Sequence, residues 1–204
     1  MLATAASDWS KSGVLDTTVV AGGTKPKSCR PTSGRVEVCS ASYGNTGWLG
    51  LAQIWITGGV HIVQGVVKNN DYYFGSSTYQ YNNAAEMQHV ICQEVGHTFG
   101  LDHQSTDGSS LDTCMDYYHN TSASDMQSTH PNKHDYEELA TIYAHVDNFS
   151  SVGAAASRTA PLGTPGADGD GTPIGASPER GNWYVQDLGG GRFLFTHVYW
   201  AGRS

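Results

Sequence analysis

Residues 82–104 read NNAAEMQHVICQEVGHTFGLDHQ, and the spacing within this stretch restricts the fold more than any other feature of the chain. It predicts a helix over 82–100. Asn82 or Asn83 supplies the N-cap, Glu86 sits in the early turns, and Gly100 stops the helix as a C′ glycine would. Side chains four apart share a helix face, so Gln93 and His97 can point at one centre. Glu94 projects beside that centre, where a bound water would sit. Gly100 then turns the chain, and His103 can return to the same centre from the following loop. The domain must therefore be built around this helix, with a metal as the expected occupant of the centre.

The elements around it follow from periodicity and punctuation. Strands are predicted at 17–23 (TTVVAGG), 36–42 (RVEVCSA), 48–56 (WLGLAQIWI) and 59–71 (GVHIVQGVVKNND). An aromatic-rich loop carries Tyr72, Tyr73, Phe74, Tyr79 and Tyr81, either rimming a cleft or packing over a sheet edge. A long loop spans 101–130. A second helix is predicted over 131–147, opening on Pro131 and an acidic turn, with Leu139, Ile142, Tyr143 and Val146 as its apolar face. Residues 1–15 give no clear signal.

Beyond 150 the composition shifts. Three segments are expected: a main domain over 1–149, a Gly/Ala/Pro/Ser-rich linker over 150–181, and a β-hairpin over 182–204 that packs back on the main domain, because an isolated hairpin is unstable in water. The DGDG at 168–171 hints at calcium but lacks the later acidic ligands of a calcium loop, and it reads as a turn.

Charge and cysteine content narrow the class. With 11 basic and 19 acidic residues the net charge is −8, which disfavours nucleic acid or an anionic membrane as partner. No apolar run is long enough to span a bilayer, and the N-terminus lacks the basic and apolar regions of a signal peptide. Cys29, Cys39, Cys92 and Cys114 form no CxxC pair. They allow three pairings, of which Cys29–Cys39 with Cys92–Cys114 is expected, against the alternative of four buried thiols. The even count and the Ser/Thr/Gly/Tyr-rich composition favour a secreted protein, and a monomer is expected.

The stretch CQEVGHTFGLDHQ resembles the extended zinc-protease signature H-E-x-x-H-x-x-G-x-x-H, with Gln93 in place of the first histidine. Shortly after it, DTCMDY (112–117) resembles the Met-turn of the metzincin zinc peptidases. On these two motifs, residues 15–147 resemble a metzincin. The resemblance implies an α+β fold: a twisted, mostly parallel or mixed sheet, an active-site helix and a C-terminal helix, with the hairpin added. It implies zinc as cofactor and a peptide or protein as substrate. His97 and His103 would be ligands, Glu94 the general base, Met115 the apolar floor, and Tyr117 a tyrosine that binds zinc at rest or steadies the oxyanion. The strand at 59–68 would be the edge strand to which an extended substrate adds.

Gln93 leaves three readings open. Its amide oxygen ligates, completing a set of Gln93, His97 and His103. Alternatively His89 or another histidine replaces it, although His89 and His97 lie about 12 Å apart along the helix axis. In the third reading zinc is weak or absent. Asp102 either orients His103 or faces solvent. His61, His119, His130, His134, His145 and His197 show no ligand pattern and read as surface or capping residues. A Cys92–Cys114 bridge would tie the helix to the Met-turn. The expected function is a secreted zinc endopeptidase, the alternative a catalytically silent peptide- or protein-binding module of the same shape.

Overall fold

The computed structural model describes residues 1–146, 148–151, 171–174 and 182–202. Most of the Gly/Ala/Pro-rich segment and of the DGDG stretch lies outside them. The fold is α+β, with four helices, α1 (Leu2–Trp9), α2 (Asp71–Phe74), α3 (Ala84–His97) and α4 (Lys133–Ile142), and six strands, β1 (Val36–Ala41), β2 (Trp48–Thr57), β3 (His61–Asn70), β4 (Thr172–Ile174), β5 (Trp183–Gly189) and β6 (Arg192–Trp200). They form one mixed sheet in the order β1-β3-β2-β6-β5-β4.

Among the described strands only β1 and β3 pair in parallel, so of the two expectations, mostly parallel or mixed, the sheet is mixed and the mostly parallel form is corrected. The cause is local. Gly58 and Gly59 between β2 and β3, and Gly190 and Gly191 between β5 and β6, have positive φ, and such tight turns make these two pairs antiparallel. The edge-strand expectation for 59–68 also fails. β3 is hydrogen-bonded on both sides, because Val36–Ala41 covers its other edge. The stretch 17–23 is no strand either. Val19 and Val20 are exposed and find no sheet neighbour, so β propensity there has nothing to pair with. The hairpin is part of the sheet itself: β6 pairs with β2 from Trp200 at one end to Arg192 at the other.

α3 lies against β2, close enough that a Cβ on Gly50 would meet Val90 Cγ1 at 2.5 Å and Glu94 Cγ at 2.9 Å. A glycine in the strand is therefore what lets Glu94 approach the sheet. Asn83 caps α3 by accepting from Glu86 N. α4 begins at a capping box between Asn132 and Asp135 and ends at Ile142. It is shorter than the 131–147 predicted, so Val146 is fully exposed and only Leu139 of the expected apolar face is buried.

The ambiguous N-terminus forms α1, whose Trp9 is buried and donates from Nε1 to Cys92 O at 3.1 Å. Trp9 and Met115 press on Gly96 in the last turn of α3, where a Cβ would lie 2.6 Å from both Met115 Sδ and Trp9 Cζ2. Gly96→Ala is accordingly expected to lower stability by about 1–3 kcal/mol through overpacking, measurable as a fall in the midpoint of urea unfolding. An unchanged midpoint would refute that packing. Both expected disulfides are present, Cys29–Cys39 and Cys92–Cys114. No helix among the described residues is long and apolar enough to cross a membrane.

Candidate metal centre

Three histidines converge from three different elements. His97 ends α3, His103 follows the Gly100 turn (φ +93°), and His197 stands in the middle of β6. One ring nitrogen of each lies within 4.8 Å of the others, close enough to bind a metal ion. His97 and His197 are buried, and the His103 side chain is 2% exposed.

In every ring the nitrogens have different surroundings. His97 Nδ1 donates to Leu101 O at 2.8 Å. His197 Nδ1 faces both Glu94 oxygens, at 3.1 and 3.0 Å. His103 Nδ1 lies 3.4 Å from Asp102 Oδ1. The three Nε2 atoms are buried and have no hydrogen-bond partner among the described residues. An acceptor at Nδ1 fixes the tautomer that leaves the Nε2 lone pair outward, as in metal-bound imidazoles with a second hydrogen-bonded shell. Three buried, unpartnered nitrogens in one place fit a cation well, since without one each is a desolvated acceptor left unused. Burial, followed by electrostatic repulsion from the neighbouring His103 ring, pulls the His97 pKa down to about 3; burial also holds His197 well below the usual imidazole range and pushes Glu94 well above that of a carboxylate. All three shifts disfavour net charge, and the two histidine shifts keep His97 and His197 neutral, the form that ligates a metal.

His197 corrects its reading as a surface or capping residue. The hint available in RFLFTHVYW was one imidazole inside an apolar strand. Burial on both faces of β6 then obliges that ring to find partners. Its carboxylate partner lies 103 residues earlier, which no local pattern reveals. Asp102 accepts from the His103 backbone N at 2.8 Å and flanks its Nδ1, while its side chain is largely exposed, so it combines features of both expectations.

The remaining predicted residues surround the cluster. Gln93 is fully buried, and its amide nitrogen donates to Cys114 O at 2.8 Å and Asp116 O at 2.6 Å. It therefore braces α3 onto the 112–117 turn alongside the Cys92–Cys114 bridge. Its Oε1 is buried without a partner. His89 is not an alternative ligand, because both its nitrogens face carbonyls, Ser128 O at 2.5 Å and Asp116 O at 3.2 Å. Met115 is buried beneath α3 against Gly96 and Trp9. The Tyr117 ring lies 5.4 Å from that of His103, and its hydroxyl accepts from Trp200 N at 3.0 Å.

Trp183, which the sequence reading also missed as a site residue, covers the cluster. Its ring is 4.9 Å from His97 and 5.1 Å from His197, and its Nε1 donates to Asp102 Oδ1 at 2.9 Å. Comparison with family models, curated proteins and solved structures finds no match.

Proposed function

We propose that this chain is a secreted zinc-dependent endopeptidase whose metal is held by His97, His103 and His197. The carrying observation is the convergence of three buried Nε2 atoms, each with its Nδ1 set beside an acceptor. A donor set of three imidazoles suits zinc, and three protein ligands are the number that leaves a position for chemistry. When bound there, zinc supplies Lewis acidity toward water and a peptide carbonyl.

The chain's own residues supply the rest. Glu94 accepts the His197 N–H through its carboxyl group, and as the general base that the motif implies it would take a proton from the attacking water and pass it to the leaving amine, its raised pKa making it the stronger base. Tyr117, whose hydroxyl accepts from the Trp200 N–H beside His103, would steady developing negative charge. The likeness of CQEVGHTFGLDHQ and DTCMDY to metzincin motifs supports this reading, with a histidine from β6 standing in for the missing first one. The two disulfides favour an oxidising compartment.

A silent, metal-stabilised binding module is the second reading, favoured by the full burial of His97 and His197 under Trp183. The test is metal analysis of the purified full chain with a casein cleavage assay. One zinc per chain and cleavage abolished by a chelator and restored by zinc is the expected result. Bound zinc without cleavage selects the module. Absence of both zinc and cleavage removes the peptidase and leaves a silent module without metal.

A further inference from the structure

A cavity of about 1170 Å³ adjoins the metal centre on the other side of Trp183. Its walls are mainly apolar: Ile54, Ile62 and Phe195 come from three adjacent strands, Phe99 follows α3, and Ile142 ends α4. His61, His145, Ser150 and Ser151 add polar groups. Asp102 and Trp183 line it too. These two residues therefore belong to both spaces: Asp102 flanks the His103 imidazole, Trp183 stacks edge-on against His97, and an indole N–H to carboxylate bond joins them. A ligand in the cavity would touch the far side of the same two side chains that enclose the histidines.

We propose that this cavity seats an apolar stretch of the peptide substrate, two neighbouring large side chains rather than one, with Trp183 as the partition between that seat and the metal centre. This rests on the peptidase reading. The size argues for more than a single side chain, because cavities of about 300–1,000 Å³ enclose whole drug-sized ligands. The lining argues for apolar residues, because a charged or amide side chain seated against Ile54, Ile62 and Phe195 would lose its water there without a polar partner from those three side chains. The shared wall argues for substrate over an unrelated ligand, since occupancy on one side of Trp183 bears directly on the ring that shields His97 and His197. Specificity would then be for peptides carrying consecutive aromatic or large aliphatic residues.

The test uses the zinc-loaded full chain and two probes, N-acetyl-Phe-Leu-amide and N-acetyl-Ala-Ala-amide, with binding read by calorimetry. The Phe-Leu probe is expected to bind at least tenfold more tightly. Ile142→Trp, at an exposed helix end, and Ile62→Trp, on β3, fill the space from opposite walls, and each should weaken that binding at least tenfold with zinc content unchanged. Equal affinity for the two probes, or binding undiminished in both filled variants, overturns the proposal. So does failure of either probe to bind wild type while both filled variants lose thermal stability, which would mean that the chain itself fills the space. Discriminating binding without any casein cleavage supports the seat while removing the peptidase reading, so the two failures are distinguishable.

Discussion

His197→Ala is expected to lower zinc affinity on the order of 100-fold, because four-ligand structural zinc sites bind with roughly 10–16 kcal/mol, or about 2.5–4 kcal/mol per ligand. The substitution also strips Glu94 of its partner in a fully buried position, which by itself lowers stability. His197→Gln separates the two effects. Its amide N–H can still reach Glu94, while the Nε2 lone pair that would hold zinc is gone, so the fold should survive with weakened zinc binding. Competition titration against a chromophoric chelator reads the affinity, and circular dichroism reads the fold. Gln93→Ala is the contrasting case. It removes two hydrogen bonds that brace α3 to the 112–117 turn, at about 1–3 kcal/mol of stability, and should reduce zinc affinity less than either His197 variant. If Gln93→Ala weakens zinc more than His197→Ala does, the third ligand is Gln93 and the assignment of His197 fails.

That contrast also marks where the sequence was readable. α3, its Asn83 cap and the Gly100 turn are legible because helix spacing and capping are local. His97 and His103 follow from the same local geometry. β2, β3 and the hairpin of β5 and β6 are legible as strands, but their order is not, because pairing joins residues as far apart as Trp48 and Trp200. The insertion of β6 beside β2 is what carries His197 to Glu94 and Trp183 to His97. A reading that treats the hairpin as an appendage has no means of finding either contact. The stretch at 17–23 fails for the converse reason: its valines have strand propensity but no neighbour to pair with. The position of Gln93 is a third kind of case. Helix geometry gives the face on which it lies, but its amide nitrogen is engaged by carbonyls of a turn that begins some 20 residues later.

Glu94→Gln and Glu94→Ala should differ in kind, and the difference follows from the two demands on one carboxylate. A glutamine at 94 keeps a carbonyl oxygen that accepts the His197 Nδ1–H, so the imidazole stays oriented and zinc affinity should remain within about tenfold of wild type. It cannot take a proton, so casein cleavage should fall by about 10²–10⁴, the usual contribution of a general base. Alanine removes both functions. Zinc affinity should drop by about 10–100-fold, as it does when a hydrogen-bond partner of a metal-bound histidine is lost, and cleavage should fall at least as far as in the glutamine variant. Alanine also empties the space beside Gly50, where Glu94 Cγ packs against the sheet, so a loss of stability should accompany it. Near-normal cleavage by Glu94→Gln would sink the assignment of Glu94 as base and leave it only as the residue that orients His197. Unchanged zinc affinity in Glu94→Ala would mean that the His197–Glu94 contact, despite its full burial, does nothing for the metal.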